Sequence, residues 1–364
     1  MDFITGGAVY VLAFLVVLSI VVFVHEYGHY WVARRNGVHV DAFSIGFGQE
    51  LFGWTDGAGT RWKVALIPLG GYVKMRGDAD AASATTDAAT AGAPDSFPSK
   101  SVPQRMAIIA AGPGANFVFA IVALALLLVT AGRPVLLPVV GEVRDDTPAA
   151  EAGLAEGDRI TAIDGTEVAT FAELQAEVSD ATGEIALTVE RDGAPFEVAL
   201  TPRMERVGEG DGAVERPLIG IVAAPPTFER VNPLMAPVVA TTQVGSMIGD
   251  ILGAVGQIIV GQRSMEELGG PLKIAQVSGD AARAGAAEFV WLMIVLSVNL
   301  GLINLFPIPM LDGGHLVMYG IEAARGRPIG ERAQELAFRF GLALVLALMV
   351  FVTWNDIMSL MPGG

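Results

Sequence analysis

Apolar runs long enough to cross a bilayer alternate with polar stretches along this chain. Phe3 to Val24, Met106 to Gly132 and Phe289 to Leu311 carry no charged side chain, and about 20 apolar residues at 1.5 Å each cover a hydrocarbon core of roughly 30 Å. Phe340 to Asn355 is uncharged too and reaches full length when extended back through Ala337 and Leu336, with Arg339 able to snorkel. Val231 to Gly249 is a fifth candidate, but two prolines, several hydroxyl residues and the following Asp250 make it read as interfacial.

Between the second and third runs the pattern changes to strands. Leu136 to Thr201 alternates apolar and polar positions, with turn signals at Asp164-Gly165 and Asp192-Gly193. Phe171, Leu174 and Val178 fall at helical spacing within it. Ahead of the second run, Arg61 to Ile67 alternates, and the chain continues through Pro68-Leu-Gly-Gly into Tyr72-Val-Lys-Met, which predicts a hairpin-like element with an accessible edge. Asp78 to Ser96 is rich in alanine, threonine and aspartate and reads as a disordered linker.

These patterns predict a polytopic α-helical membrane protein of about four transmembrane helices with an inserted α+β domain. The expected segments are a first span at 1–35, a connection with the hairpin-like loop and linker at 36–104, a second span at 105–132 and the inserted domain at 133–230. An interfacial amphipathic segment at 231–286, a third span at 287–314, and a connection with the fourth span at 315–364 complete the chain.

Composition supports the membrane reading, with 52% hydrophobic residues and a mean hydropathy of +0.52. The chain has no cysteine, so disulfides, thiolate metal sites and a cysteine nucleophile are excluded together. A formal net charge of -16 argues against a nucleic-acid partner, which calls for a basic surface. The start, Met-Asp-Phe-Ile-Thr, lacks the basic region of a secretory signal, so the first span is expected to be retained. Basic residues set the expected orientation. Arg34, Arg35, Arg61, Lys63, Lys74, Arg76 and Lys100 in the first connection, and Arg325, Arg327 and Arg332 in the last, point to the cytoplasm. The acidic 133–230 segment and both termini then face the other side.

The chemistry sits in the run HEYGH. His25 and His29, four apart on a helix, share one face and can bind one zinc, while Glu26, next to the first, reaches the metal-bound water. A further carboxylate, Asp312, lies in the run from Asn304 to Gly314, NLFPIPMLDGG. There Pro307 and Pro309 cannot continue a regular helix, and Gly313 and Gly314 allow unusual backbone angles. The third span should therefore open before it leaves the membrane, which is tolerated only where the backbone is covered by protein or lines a wet cavity. Two histidines and a carboxylate would leave zinc a fourth position for water. Parity ties these pieces together, because only a chain that crosses back once between the histidines and the third span brings Asp312 to their side. Neither His39 nor His315 needs to be a ligand, and Asn116 is expected to pack the second span against the catalytic pair.

The run TPAAEAGLAEGDRITAIDG, Thr147 to Gly165, resembles the PDZ domains of bacterial proteases. The whole chain resembles the site-2 protease family (peptidase M50), in the branch of the bacterial regulator of sigma-E protease RseP. HEYGH, PLGGYVKM, AGPGANF, the PDZ-like insert and NLFPIPMLDGG carry the resemblance, in that order. The resemblance implies an intramembrane zinc metalloendopeptidase of the bacterial inner membrane, with its PDZ-like domain periplasmic and its zinc near the cytoplasmic face. It implies His25, His29 and Asp312 as zinc ligands and Glu26 as general acid/base. Asn299, Asn304, Pro307, Pro309, Gly70, Gly71 and Tyr72 would handle substrate, the last three on a loop that holds it extended.

The partners it implies are the lipid bilayer and single-span membrane proteins already trimmed by a first protease, such as anti-sigma factors and signal-peptide remnants. A peptide or C-terminal tail would bind the PDZ-like domain, or that domain would act as a size filter. Two other readings compete. One is a non-catalytic PDZ-bearing membrane scaffold. The other is a membrane-anchored quality-control protease, a class that lacks the insert and the late aspartate.

Overall fold

In the computed structural model, residues 2–78, 90, 92–207, 214–264 and 269–359 are described. The chain divides into two compact units, one of Met1–Leu127 with Pro233–Gly364 and one of Leu128–Asn232.

The first unit is built on long apolar helices. α1 (Asp2–Arg35) ends where Arg34 and Arg35 complement the negative end of the helix dipole and Gly37 takes a left-handed φ of 69°. Two strands follow, β1 (Val40–Thr55) and β2 (Arg61–Met75), paired antiparallel with several register shifts. The sequence reading put a turn at Pro68-Leu-Gly-Gly, but β2 runs straight through it and the turn lies at 56–60. Asp56 makes that turn, its Oδ1 accepting from the backbone of Ala58 and Thr60, both at 2.9 Å. The hairpin base packs on α1 and on α2 (Val102–Thr130) through Ala33, Val40, Phe43, Val73, Met75 and Ile108, all buried.

Most of the predicted linker, residues 79–89 and 91, lies outside the described residues. Its C-terminal part is anchored: Asp95 accepts from Arg76 at 2.6 Å, and the Asp95 carbonyl accepts from His39 N at 2.9 Å.

The remaining helices are α5 (Ala236–Ile259), α6 (Pro271–Ala284), α7 (Ala286–Asn304), α8 (Asp312–Arg325) and α9 (Glu331–Ser359). The third apolar run therefore ends its helix at Asn304, and what was read as a plain connection holds a further helix, α8. Among the described residues five helices, α1, α2, α5, α7 and α9, are long and apolar enough to cross a membrane. Their outward faces suit lipid: Val118, Val122 and Leu126 form an exposed stripe on α2 at four-residue spacing.

Amphipathic α6 docks against the opening turns of α1. Tyr10 donates to Asp280 at 2.8 Å, and the Arg283 guanidinium lies 4.6 Å from the Tyr10 ring centroid. A Cβ on Gly279 would collide with that ring. Buried Asp356 near the end of α9 caps the other end of α6, accepting from the backbone of Gly270 at 2.9 Å and Leu272 at 3.0 Å.

The second unit is α+β. Its main sheet runs β6-β5-β7-β8, formed by Thr166–Glu167, Arg159–Ile163, Ile185–Arg191 and Ala194–Leu200. Asp164-Gly165 and Asp192-Gly193 both adopt left-handed pairs, with φ of 49° and 81°, and 52° and 79°, as two-residue hairpin turns require. Three short antiparallel pairs complete it: β3 (Arg133–Val135) with β12 (Thr227–Glu229), β4 (Val140–Val143) with β11 (Ile221–Ala223), and β9 (Arg203–Val207) with β10 (Val214–Leu218). The short helix α3 (Pro148–Glu151) precedes β5. α4 (Phe171–Asp180) opens on a capping box between Thr170 and Glu173 and buries Leu174 and Val178. Those two meet Ile160, Leu187, Val189 and Ile219 in the core.

Candidate metal centre

Helical spacing puts the two imidazoles of α1 on one face, buried, with their Nε2 atoms 3.3 Å apart. Asp312 brings its Oδ2 to 3.2 Å from His25 Nε2 and 3.5 Å from His29 Nε2. A tetrahedral zinc with bonds of about 2.0 to 2.1 Å sets its ligand atoms roughly 3.3 Å from one another, so the three edges match a tetrahedral face.

The protons agree with that fit. His29 Nδ1 lies 2.9 Å from the Ile108 carbonyl on α2, an acceptor only, so this nitrogen carries the proton and Nε2 presents a lone pair. Asp312 Oδ2 is buried and makes no well-formed hydrogen bond. The lone pairs of His29 Nε2 and Asp312 Oδ2 thus point at one another's neighbourhood, an arrangement that a cation stabilises and that otherwise costs free energy. His25 Nδ1 faces the amide of Asn116 at 3.5 Å.

Small residues let these elements close up. A Cβ on Gly112 would collide with His29 Nε2 itself, and one on Gly28 with the Ala111 carbonyl. The glycines after Asp312 serve differently from the sequence expectation. Neither Gly313 nor Gly314 has a positive φ; the left-handed residue is Met310, at 84°. Gly313 and Gly314 instead sit in the first turn of α8, where a Cβ would strike the backbone of Leu305 and Phe306, or of Ile308. The chain thus folds back on the broken stretch 305–311 and re-enters a helix at Asp312. α8 is held to α2 by a bidentate Arg105–Glu322 pair at 2.7 and 3.2 Å, with the Arg105 guanidinium 4.7 Å from the Tyr319 ring centroid.

The three candidate ligands open onto a cavity of about 290 Å³. Glu26, Asn304, Gly71 and Tyr72 also line it, whereas Asn299, Pro307, Pro309 and Gly70 do not. Gly70 acts one step away: at φ of 109°, its place against the Phe47 ring, a cavity-lining group, leaves no room for a Cβ. Gly71 lets β2 approach α1, since a Cβ there would lie 2.8 Å from Val22 and 3.0 Å from the Glu26 Cγ. Sequence reasoning missed Phe47, Val73, Met75, Ile109 and Met310 as lining residues; of these Val73, Met75 and Met310 stood in quoted motifs. His315 also lines the cavity without joining the ligand group, and His39 stands elsewhere, 3.5 Å from Asp41.

The second unit has its own cavity of about 400 Å³, between Phe171, Leu174 and Val178 of α4 and the stretch from Arg216 to Ile221. β11 pairs with β4 there.

The sequence profile of peptidase family M50 matches residues 13–348. A protein of Agrobacterium fabrum that carries the name of a zinc metalloprotease is 44% identical over 369 residues, covering 98% of this chain and 97% of its own length. Metalloprotease MmpA of Caulobacter vibrioides is 40% identical over 382 residues, covering 97% and 96%. Among solved structures, the PDZ domain of an SdrC-like protein from Listeria monocytogenes overlaps 24% of this chain and 87% of its own, at 21% identity and a TM-score of 0.20.

Proposed function

The chain belongs to peptidase family M50 and is a zinc metalloprotease, and from that premise we propose that it cuts peptide bonds within transmembrane segments of other proteins. The carrying observation is the match of the His25, His29 and Asp312 edges to a tetrahedral face, at 3.2, 3.3 and 3.5 Å, on helices apolar enough to span a membrane.

Bound zinc supplies Lewis acidity to the scissile carbonyl and lowers the pKa of the attacking water. Glu26, lining the same cavity, takes the proton from that water and returns it to the departing amine. Asn304, whose Nδ2 donates to the Leu300 carbonyl at 3.0 Å, faces the cavity as a candidate donor to the substrate carbonyl or backbone. A transmembrane helix has its carbonyls bonded internally, so the substrate must be unwound before cleavage. The edge of β2 at Gly71 to Val73, which walls the cavity, offers strand pairing in exchange. The cavity of the second unit, between α4 and Arg216 to Ile221, suits an extended peptide in the manner of a PDZ-like domain. Substrates are single-span proteins whose outer part an earlier cut has removed.

Four crossings, through α1, α2, α7 and α9, fit this chemistry, with α5 interfacial. α6 has 14 residues, or about 21 Å at 1.5 Å each, too short for a return crossing. A crossing α5 would therefore send α7 the wrong way. α6 instead meets α1 at Tyr10, the end far from His25, so α7 starts there and delivers Asp312 to the histidines. With the basic residues in the cytoplasm, the second unit is periplasmic and the membrane is the bacterial inner one.

Glu26→Gln should keep zinc and abolish cleavage of a reporter transmembrane segment co-reconstituted in vesicles. Cleavage at the wild-type rate would overturn the mechanism.

A further inference from the structure

His29 has a visible orienting partner, and His25 must have one too, because a metal-binding imidazole is held in the right tautomer by the bond its other nitrogen makes. Among the described residues the hydrogen-bond partner of His25 Nδ1 is the Asn116 amide. As placed, Asn116 Nδ2 faces Nδ1 at 3.5 Å, while Asn116 Oδ1 is buried with no hydrogen-bond partner. That orientation is the wrong one for a metal site. An amide N–H donating to Nδ1 would put the ring proton on Nε2, aimed at Asp312 Oδ2 and away from metal ligation. A half-turn of the amide exchanges two atoms of nearly equal size. Oδ1 then accepts from Nδ1–H, Nδ2 takes the unbonded place the oxygen leaves, and Nε2 presents its lone pair beside that of His29.

The backbone of Asn116 is fixed independently of its amide. Its carbonyl accepts from buried Ser297 on α7 at 3.0 Å, and the Cβ of Asn116 would meet a Cβ on Gly301 at 3.2 Å. Among the described residues the side chain's hydrogen bonding is thus spent on His25. We propose that Asn116 is the positioning residue of His25: its amide oxygen holds the imidazole in the tautomer and plane that offer Nε2 to zinc. This rests on the ligand set proposed above.

The test is the zinc affinity of the full chain in detergent, by competition with a chelator, for wild type, His25→Ala, Asn116→Leu and Asn116→Asp. His25→Ala checks the ligand set alone, and wild-type affinity there would sink that reading and with it this one. With the ligand set standing, Asn116→Leu, similar in volume but without an acceptor, is expected to weaken zinc binding about 10- to 100-fold. Asn116→Asp, which keeps an acceptor and loses the donor, is expected to restore wild-type affinity. Wild-type affinity in Asn116→Leu would overturn the proposal. So would an Asn116→Asp protein as weak as the leucine variant, since donation by Nδ2 or packing would then be the working feature. The aspartate variant decides the matter even if Asn116→Leu does not fold.

Discussion

Gly112 separates packing from chemistry more sharply than any charged residue of the site. In an exposed helix, glycine to alanine gains about 1 kcal/mol. Here the added methyl would collide with His29 Nε2, the atom proposed to bind zinc. Overpacking of this kind costs typically about 1 to 3 kcal/mol, so the collision outweighs the propensity. Gly112→Ala is expected to lower bound zinc per protein at least tenfold, read by metal analysis after dialysis at fixed free zinc; full occupancy would show that the helices give way. Gly71→Ala should part from it. Its Cβ would press on Val22 and the Glu26 Cγ rather than on a ligand atom, so zinc should stay while reporter cleavage falls. Equal zinc loss in both variants would refute that division. HEYGH announced itself because its spacing is a property of one helix. The need for glycine at 112 and 71 was not legible, because it arises only when a second element arrives at contact distance.

Hairpins and short helices show where pattern reading holds and where it slips. Asp164-Gly165 and Asp192-Gly193 turned where expected, since the turn chemistry is local to two residues. The long hairpin was read from β2 alone. Its partner β1 carries Gly46, Gly48 and Gly53 and pairs through repeated register shifts, which erases period-2 alternation. α8 was missed because Pro307, Pro309 and two glycines mark a turn, and only the fold shows that the glycines lie inside the next helix.

A titratable anchor borders the main sheet of the second unit, just ahead of β5. Asp158, fully buried, accepts from Arg191 Nε at 2.6 Å and Nη2 at 2.7 Å, and from Ala155 N at 2.8 Å. The Arg191 hydrogen bonds hold its carboxyl below the ordinary range, against the opposing effect of burial. A depressed folded pKa means that the stabilisation is complete above the unfolded value of about 3.9 and is lost as pH falls through the folded one. Hydrogen exchange of peptides from β5 and β7 in the full chain should therefore stay slow at pH 5 to 7 and quicken below about pH 4, after correction for intrinsic exchange. Asp158→Asn should quicken it at pH 7 as well, by about 1 to 3 kcal/mol of lost charge-assisted bonding. Unchanged protection in that variant would mean the pair does not anchor the sheet.

The absence of cysteine makes the threading of the whole chain directly measurable. If α5 is interfacial, both of its ends lie on the side of the second unit; if it crosses, Gln262 moves to the opposite side. Single cysteines at Ser179 in the second unit, at Gln262 after α5 and at Ser99 before α2 are all at exposed positions. A membrane-impermeant maleimide added to intact spheroplasts should label Ser179→Cys and Gln262→Cys and spare Ser99→Cys until the membrane is opened. Labelling of Gln262→Cys only after opening would establish a crossing α5. That result would break the parity that brings α7 down beside α1, and α6, with Lys273, Asp280 and Arg283 on 14 residues, would have to re-enter the bilayer to restore it. Burying those charges in hydrocarbon costs roughly 2.5 to 3.5 kcal/mol each even on the mildest insertion scale. The contacts of α6 with Tyr10 and Asp356 would lose the membrane-surface position proposed for them. The position of Asp312 beside the histidines is thus a statement about topology as much as about a metal, and one labelling pattern tests both.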